Sequence, residues 1–220
     1  DDAIGRIYPS YEQSLSYYRR ALLQRNTLLR DAAANASLFD LLDVWDENIA
    51  RAGAQIVRLR RRYVERIREA AKEAYAGISS GREELEVEYL AAASTSEEYR
   101  EALRAARAED IRLGHTTCGV HRDDLSLTIN GLNARQYGSQ GQQRSCVLAL
   151  KLAECGILEE CTGEGPIVLL DDVMSELDAL RRDYLLHRIR GRQVFITCCE
   201  DILPAGEDVT QFVLHEGRFT

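Results

Sequence analysis

Two adjacent carboxylates, Asp171 and Asp172, close the apolar run Ile167-Val168-Leu169-Leu170. A run this short, bounded by Gly165-Pro166, suits a strand buried on both faces better than a helix. In parallel α/β sheets ligands sit off the carboxyl ends of strands, so the pair would emerge where a nucleotide lies. One carboxylate could hold Mg2+, usually through water, while the other orients an attacking water. The same ending also occurs in sheets that bind no metal. Upstream, Tyr137-Gly138-Ser139-Gln140-Gly141-Gln142-Gln143-Arg144 sets a serine and a bare glycine ahead of a helical pattern. In that helix Cys146, Val147, Leu150 and Ala153 share one face. Ser139 can cap it, with open amides forming an anion site aimed at a phosphate. The alternative for Ser139 is a cap without a ligand. Arg144, one turn in, either meets a partner or is solvated.

The elements that must position these groups are readable around them. Ser10 to Gln13 is a capping box after Pro9, and Leu15, Tyr18, Leu22 and Leu29 recur at helical spacing, so a helix is predicted over 10–30. Residues 31–37 read as a turn. Leu38, Leu42, Trp45, Ile49, Ala52, Ile56, Leu59 and Tyr63 then step by four and three, continued by Ile67, Ala70 and Ala74. This predicts a long helix packed in coiled-coil fashion, making an antiparallel hairpin with the first. Gly53 would weaken it locally, by ~1 kcal/mol relative to Ala. Leu85, Val87 and Tyr89 alternate with glutamates as a half-buried strand. Thr95 with Glu98 caps a helix over 96–113, and composition changes at Gly114. Leu125, Leu127 and Ile129 lead into the hairpin turn Asn130-Gly131, with Leu132 and Ala134 on the return strand. A helix over 178–190, a strand over 193–197 and a last strand over 210–214 complete the prediction.

Hydrophobic content of 45% with 29% charged residues is that of an ordinary soluble protein of 220 residues. Its apolar runs fall short of the ~20 residues that span a bilayer. A net charge of −8 argues against a nonspecific nucleic-acid binder. Locally the balance reverses: eight basic residues between Arg51 and Lys72 face only Glu65 and Glu69, a net +6. A solvated helix face is the ordinary reading. Crowding of one sign favours DNA phosphate instead, with Arg58, Arg61 and Arg62 as the candidate contacts and no aromatic interleaving for base stacking. Six cysteines without Cys-x-x-Cys spacing fit reduced thiols in a cytosolic protein. His115, Cys118 and His121, three apart, offer a zinc set that lacks a fourth ligand at a usual spacing. His121, Arg122, Asp123 and Asp124 form a polar strand-end cluster, either a structural salt bridge or a nucleotide contact.

Taken in order, Ser139 to Gln142, the strand ending at Asp171-Asp172, and Ser175-Glu176-Leu177-Asp178 resemble the signature motif, Walker B strand and D-loop of ABC-type ATPases. The spelling is that of the RecF family. Gln24-Arg25-Asn26, Asp43-Val44-Trp45-Asp46, His121 to Asp124 and Ala149 to Glu154 also look like that family, so the resemblance covers nearly the whole chain. It implies an α/β fold: a partial ABC/SMC-type head on a P-loop NTPase-like sheet over 114–220, bearing an antiparallel coiled-coil arm with a small strand over 1–113. For the complete protein it implies ATP and Mg2+. Asp171 would belong to the metal and Asp172 to the attacking water. Ser139, Gln140, Gly141 and Gln142 would meet the γ-phosphate bound on a partner chain, Asp178 would sit on the dimer axis, and Thr197 would stand near the nucleotide.

Further implications are an ATP-dependent homodimer on gapped DNA or single-strand/double-strand junctions, RecO and RecR as partners, and help in loading the recombinase. The setting would be cytoplasmic, without a membrane, in DNA repair, replication, recombination and the SOS response. Most ABC ATPases have Glu at the second carboxylate, and Asp is one methylene shorter, so slow hydrolysis is expected. Gln140 stands where most have glycine, a spelling RecF-like sequences share. Cys198 stands where a switch histidine is expected. A Gly-x-x-x-x-Gly-Lys-[Ser/Thr] loop is absent from these residues. RecF-like proteins carry it in the strand and helix that open the chain. The stretch from Asp1 is therefore expected to be an excised piece that hydrolyses no ATP alone. The competing class is a non-catalytic coiled-coil interaction module that docks DNA or proteins.

Overall fold

The long apolar repeat becomes α3 (Phe39–Ile78), 40 residues and so about 60 Å long. The computed structural model describes residues 1–32, 39–199, 209–215 and 218–219. Leu42, Ile49, Ala52, Ile56, Leu59, Ile67 and Ala74 are buried as their spacing predicts; Leu38 and most of the turn over 31–37 lie outside the described residues. Short α1 (Asp2–Ile7) leads into α2 (Pro9–Ala32), which runs antiparallel to α3. Arg25 of α2 reaches Asp46, and Tyr11 reaches Arg60. Burial is wider than a two-helix seam, because Ala50, Val57, Val64, Ala71 and Ile78 are buried as well. The extra cover comes partly from α4 (Ser96–Leu113), whose Tyr99 ring would lie 3.4 Å from a Cβ at Gly53. That glycine permits a close helix approach rather than merely loosening α3.

Strand β1 (Leu85–Leu90) alternates buried and exposed residues and pairs antiparallel with β2 (Asp124–Ile129), Leu85 opposite Ile129. Asn130 and Gly131 both have positive φ, +50° and +79°, as a two-residue hairpin turn requires. The return strand β3 is only Leu132–Asn133. Ala134, expected on it, instead opens α5 (Ala134–Tyr137), because the Asn133 side chain accepts from the Arg135 and Gln136 amides and starts a helix. Then come α6 (Gln140–Thr162), β4 (Val168–Asp171), a 3-10 turn (Met174–Glu176), α7 (Ala179–Arg188) and β5 (Val194–Thr197). Strands β4 and β5 are parallel, Val168 opposite Val194 through Asp171 opposite Thr197. The last strand expected over 210–214 is reduced to β6 (Leu214–His215), which pairs with β7 (Arg218–Phe219).

Two hydrophobic cores form among the described residues. One joins the later half of α3 to β1, α6, α7 and one face of β4 and β5, through Ile67, Tyr75, Ala149, Leu170 and Leu185. The other joins α1, α2, the earlier half of α3 and α4, through Tyr11, Tyr18, Ile56, Tyr99 and Leu103. Tyr63 and Tyr89 pack against both, and the β1–β2 pairing runs across the boundary expected at Gly114. Strand β4 is not buried on both faces. Val168 and Leu170 point into the core, but Leu169 is 74% exposed and Phe195 beside it 55%. Helices α6 and α7 cover one face, and among the described residues no element covers the other. Val147, expected on the inner face of α6, is likewise outside, while Cys146, Ala149 and Leu152 are inside.

Candidate functional site

The parallel register brings Asp171 and Thr197 side by side at the carboxyl edge of β4–β5. The Thr197 hydroxyl donates to Asp171 Oδ1 at 2.5 Å. The Asp172 amide donates to the carbonyl and to the hydroxyl oxygen of Thr197, each at 3.1 Å. Asp172 then leaves the strand in a left-handed conformation, φ +52°. A non-glycine residue there costs ~1–3 kcal/mol, a cost found where geometry serves a site. The Ser175 hydroxyl donates to the Asp172 carbonyl and to its Oδ1, both at 2.9 Å, fixing the carboxylate. Asp171, Asp172 and Thr197 are all exposed. One carboxylate with a hydroxyl beside it fits an oxygen-seeking divalent cation that takes its other ligands from water and phosphate. Among the described residues no three His, Cys, Asp or Glu side chains form a cage of their own.

Ser139 begins α6 with a reciprocal cap. Its Oγ accepts from the Gln142 amide at 3.2 Å, and its own amide donates to Gln142 Oε1 at 2.8 Å. Accepting leaves the hydroxyl proton available to a ligand oxygen. Ser139 and Gln140 are exposed, and a Cβ on Gly141 would meet Arg181 Nη1 at 3.5 Å and no apolar group within 4 Å. Asp178 caps α7 by accepting from the Arg181 amide at 2.9 Å. Arg144, left open between partner and solvent, pairs with Glu176 at 2.8 Å. The expected residues thus fall into two groups, 171, 172 and 197 at the sheet edge, and 139–142 with 178 at the helix starts. The turn Met174–Glu176 links them, since Ser175 holds Asp172 while Glu176 holds Arg144.

The basic stretch sorts itself by partner. Arg51 faces Glu47, Arg60 binds Asp1 and the Val120 carbonyl, Arg66 faces Glu160, Arg68 binds the Val87 carbonyl, and Lys72 lies between Glu84 and Glu86. Arg58, Arg61 and Arg62 are in no ion pair among the described residues. Arg58 donates to Gln55, Arg61 to Ser94 at 2.7 Å, and Arg62 lies over the Tyr8 ring at 5.4 Å. All three line one concavity of about 800 Å³ with Arg51, Glu65 and Ser94. From Arg62 to the end of α3 is sixteen residues, about 24 Å, so this groove is remote from the Ser139 end.

Of the remaining candidates, His121 and Asp123 are engaged within the fold. His121 accepts the Tyr18 hydroxyl at Nδ1, 2.7 Å away, and its Nε2 faces the Thr116 carbonyl at 3.2 Å. Burial pushes the Tyr18 pKa up and holds that of His121 below its usual value, so the ring is a neutral acceptor with neither nitrogen left for zinc. Asp123 takes the Tyr89 hydroxyl and the Ala92 amide, with Arg60 at 3.8 Å. His121 and Asp123 therefore pin the loop between α4 and β2. Sequence reasoning missed two long-range networks, one buried and one part-buried. Fully buried Arg25 reaches Asp46 and Asp110 at 2.6 Å each and Thr116 at 2.9 Å. Glu83 binds Gln142 from outside its helix. Neither has a signal in local spacing.

Searched against protein-family models, the chain matches none. Curated relatives do match. The DNA replication and repair protein RecF of Agathobacter rectalis is 40% identical over 188 residues, 86% of this chain and 52% of the relative. That of Lachnoclostridium phytofermentans is 43% identical over 198 residues, 90% of this chain and 55% of the relative. The chain thus spans about half the length of these relatives. Among solved structures, that of the recombination mediator protein RecF with ATPrS, in the RecFOR pathway, superposes with a TM-score of 0.84 at 36% identity, covering 100% of this chain and 60% of that one. The structure of RecF with ATP gives 0.83.

Proposed function

We propose, from the premise that over the stretch it spans this chain belongs to the RecF family, that it forms the arm (1–113) and the carboxyl-terminal part of an ABC-type ATPase head (114–220). The reading's main support is the convergence of Asp171, Asp172 and Thr197 at the carboxyl edge of a parallel pair of strands. Asp171 would hold Mg2+, chiefly through water, with Thr197 fixing which carboxylate oxygen faces away from the ion. When bound, the ion would neutralise charge on the phosphates of ATP. Asp172, turned out of the strand by its left-handed backbone and steadied by Ser175, would orient the attacking water and take its proton. Its short side chain keeps turnover slow. The Ser139 hydroxyl and the first-turn groups of Gln140, Gly141 and Gln142 would close over the γ-phosphate of ATP held by a second copy, and Asp178 would lie near the axis between copies.

The cradle for the β- and γ-phosphates, a P-loop, would come from the half of the relatives that this chain does not span. That half would also cover Leu169 and Phe195 on the open face of β4–β5. In this reading the complete protein pairs on ATP, binds DNA at single-strand gaps through Arg58, Arg61 and Arg62, works with RecO and RecR, and helps load the recombinase. No helix among the described residues is long and apolar enough to cross a membrane. The test is Asp172→Asn in a protein that also carries the P-loop half. ATP turnover should disappear while ATP-driven pairing persists, and turnover that survives would remove Asp172 from the chemistry.

A further inference from the structure

The cap at the start of α6 uses only half of the Gln142 side chain. Its Oε1 accepts from the Ser139 amide at 2.8 Å, while its Nε2 donates to Glu83 Oε1, also at 2.8 Å. Glu83 lies between α3 and β1, and its second oxygen accepts from the Tyr75 hydroxyl at 2.7 Å. Tyr75 is fully buried near the end of α3. The Glu83 backbone is fixed too: its amide reaches the Ser79 hydroxyl at 3.4 Å, and that hydroxyl reaches the Glu83 carbonyl at 3.3 Å. Ser80 and Gly81, both at positive φ, fold the link that brings Glu83 back. One turn along α6, the Cys146 thiol is pushed up to about 11, by burial first and then by the Glu83 carboxylate. The bonds of Glu83 to Tyr75 and Gln142 are part-buried, and hydrogen bonds to a charged acceptor are stronger than neutral ones.

A helix cap needs one polar atom at this position, and Glu or Gln serves equally. Of these two, only the amide can accept from a serine N–H and also donate to a carboxylate, so the clamp explains why glutamine rather than glutamate stands at 142. We propose that Glu83, braced by Tyr75, is a positioning residue for the signature turn. It sets the orientation of Gln142, and through it of Ser139, from the end of the helix that carries the arginine groove. This rests on the reading of Ser139 as a group that acts on a partner's nucleotide.

Two measurements test it, and they fail separately. In this chain alone, Glu83→Ala should raise hydrogen exchange at the Ser139 and Gln142 amides about tenfold or more. Glu83→Gln can still accept from Gln142 and donate to a reoriented Tyr75 hydroxyl, so it should stay near the parent rate. Unchanged exchange in Glu83→Ala would overturn the clamp, whatever becomes of the nucleotide reading. In a protein that also carries the P-loop half, Glu83→Ala should weaken ATP-driven pairing about tenfold, leave the monomer's ATP affinity unchanged, and be rescued by Glu83→Gln. Pairing equal to the parent, or no rescue, would refute the positioning role. Failure of the unsubstituted protein to pair on ATP would instead refute the nucleotide reading.

Discussion

Replacing Arg25 by alanine is the sharpest test of how the arm is held together. The guanidinium is fully buried, with Asp46 and Asp110 each at 2.6 Å and only 3% and 0% exposed. The two carboxylates do not lose equally. Asp46 keeps Arg107 at 2.5 Å. Among the described residues Asp110 keeps only the Thr117 amide and hydroxyl, at 2.8 and 2.7 Å, and no cation, so it becomes an unpaired buried anion. Breaking a buried pair in this one-sided way costs ~3–5 kcal/mol, a large share of the ~5–15 kcal/mol that keeps a domain folded. With a urea slope of ~2 kcal/mol/M, the midpoint by circular dichroism should fall by about 1.5–2.5 M. Adding Asp110→Asn removes the stranded charge and keeps an acceptor for Thr117, so the double variant should recover part of the loss. The exposed pair Arg112 and Glu109 is the control, and breaking it should leave the midpoint where it was. A midpoint for Arg25→Ala within about 0.5 M of the parent would refute the reasoning.

Other outcomes follow from the same structure. The triple change of Arg58, Arg61 and Arg62 to alanine should reduce duplex affinity and flatten the salt dependence of log K by about 2–3; fluorescence anisotropy across a salt series reads it, and an unchanged slope removes these arginines from the DNA surface. Because His121 is held below its ordinary 6.5 by burial first, with Arg122 adding to it, the unfolded chain takes up the proton more readily than the folded one. The His121 contribution is thus present above about 6.5 and lost as pH falls below it, so urea midpoints should drop over that window and drop less in His121→Gln. Gly119 has φ +135°, and a Cβ there would stand 2.3 Å from the Tyr18 hydroxyl oxygen. Gly119→Ala should therefore cost ~1–3 kcal/mol, seen as a lower Tm. By contrast, Gly156→Ala meets open space within α6 and should stabilise by ~0.5–1 kcal/mol.

What could be read from the sequence was what local spacing encodes. The four-three steps of α3 mark buried positions whichever element does the burying. The Thr95 and Glu98 capping box spans three residues and closes as spelled. Thr197 is placed near the nucleotide by the family resemblance rather than by spacing, and the parallel register of two short strands brings it to Asp171. What escaped was long-range. Arg25 and Asp110 are 85 positions apart, and Glu83 and Gln142 are 59 apart, so no periodicity aligns them. Uniformly apolar runs misled for the opposite reason. Ile167 to Leu170 looks the same whether one face is covered or two, and Val147 matches its neighbours in polarity although α6 turns it outward.

The central claim, a nucleotide pocket shared between two copies, is tested most directly by mixing two inactive variants of a protein that carries both halves. Asp172→Asn removes the water-handling carboxylate, and Ser139→Arg blocks the lid. If each pocket takes Asp172 from one copy and Ser139 from the other, a mixed dimer has one intact pocket, and an equal mixture should regain about a quarter of the parent ATP turnover. If the mixture stays as inactive as its components, both groups serve a pocket within one chain, and the shared-site account is wrong.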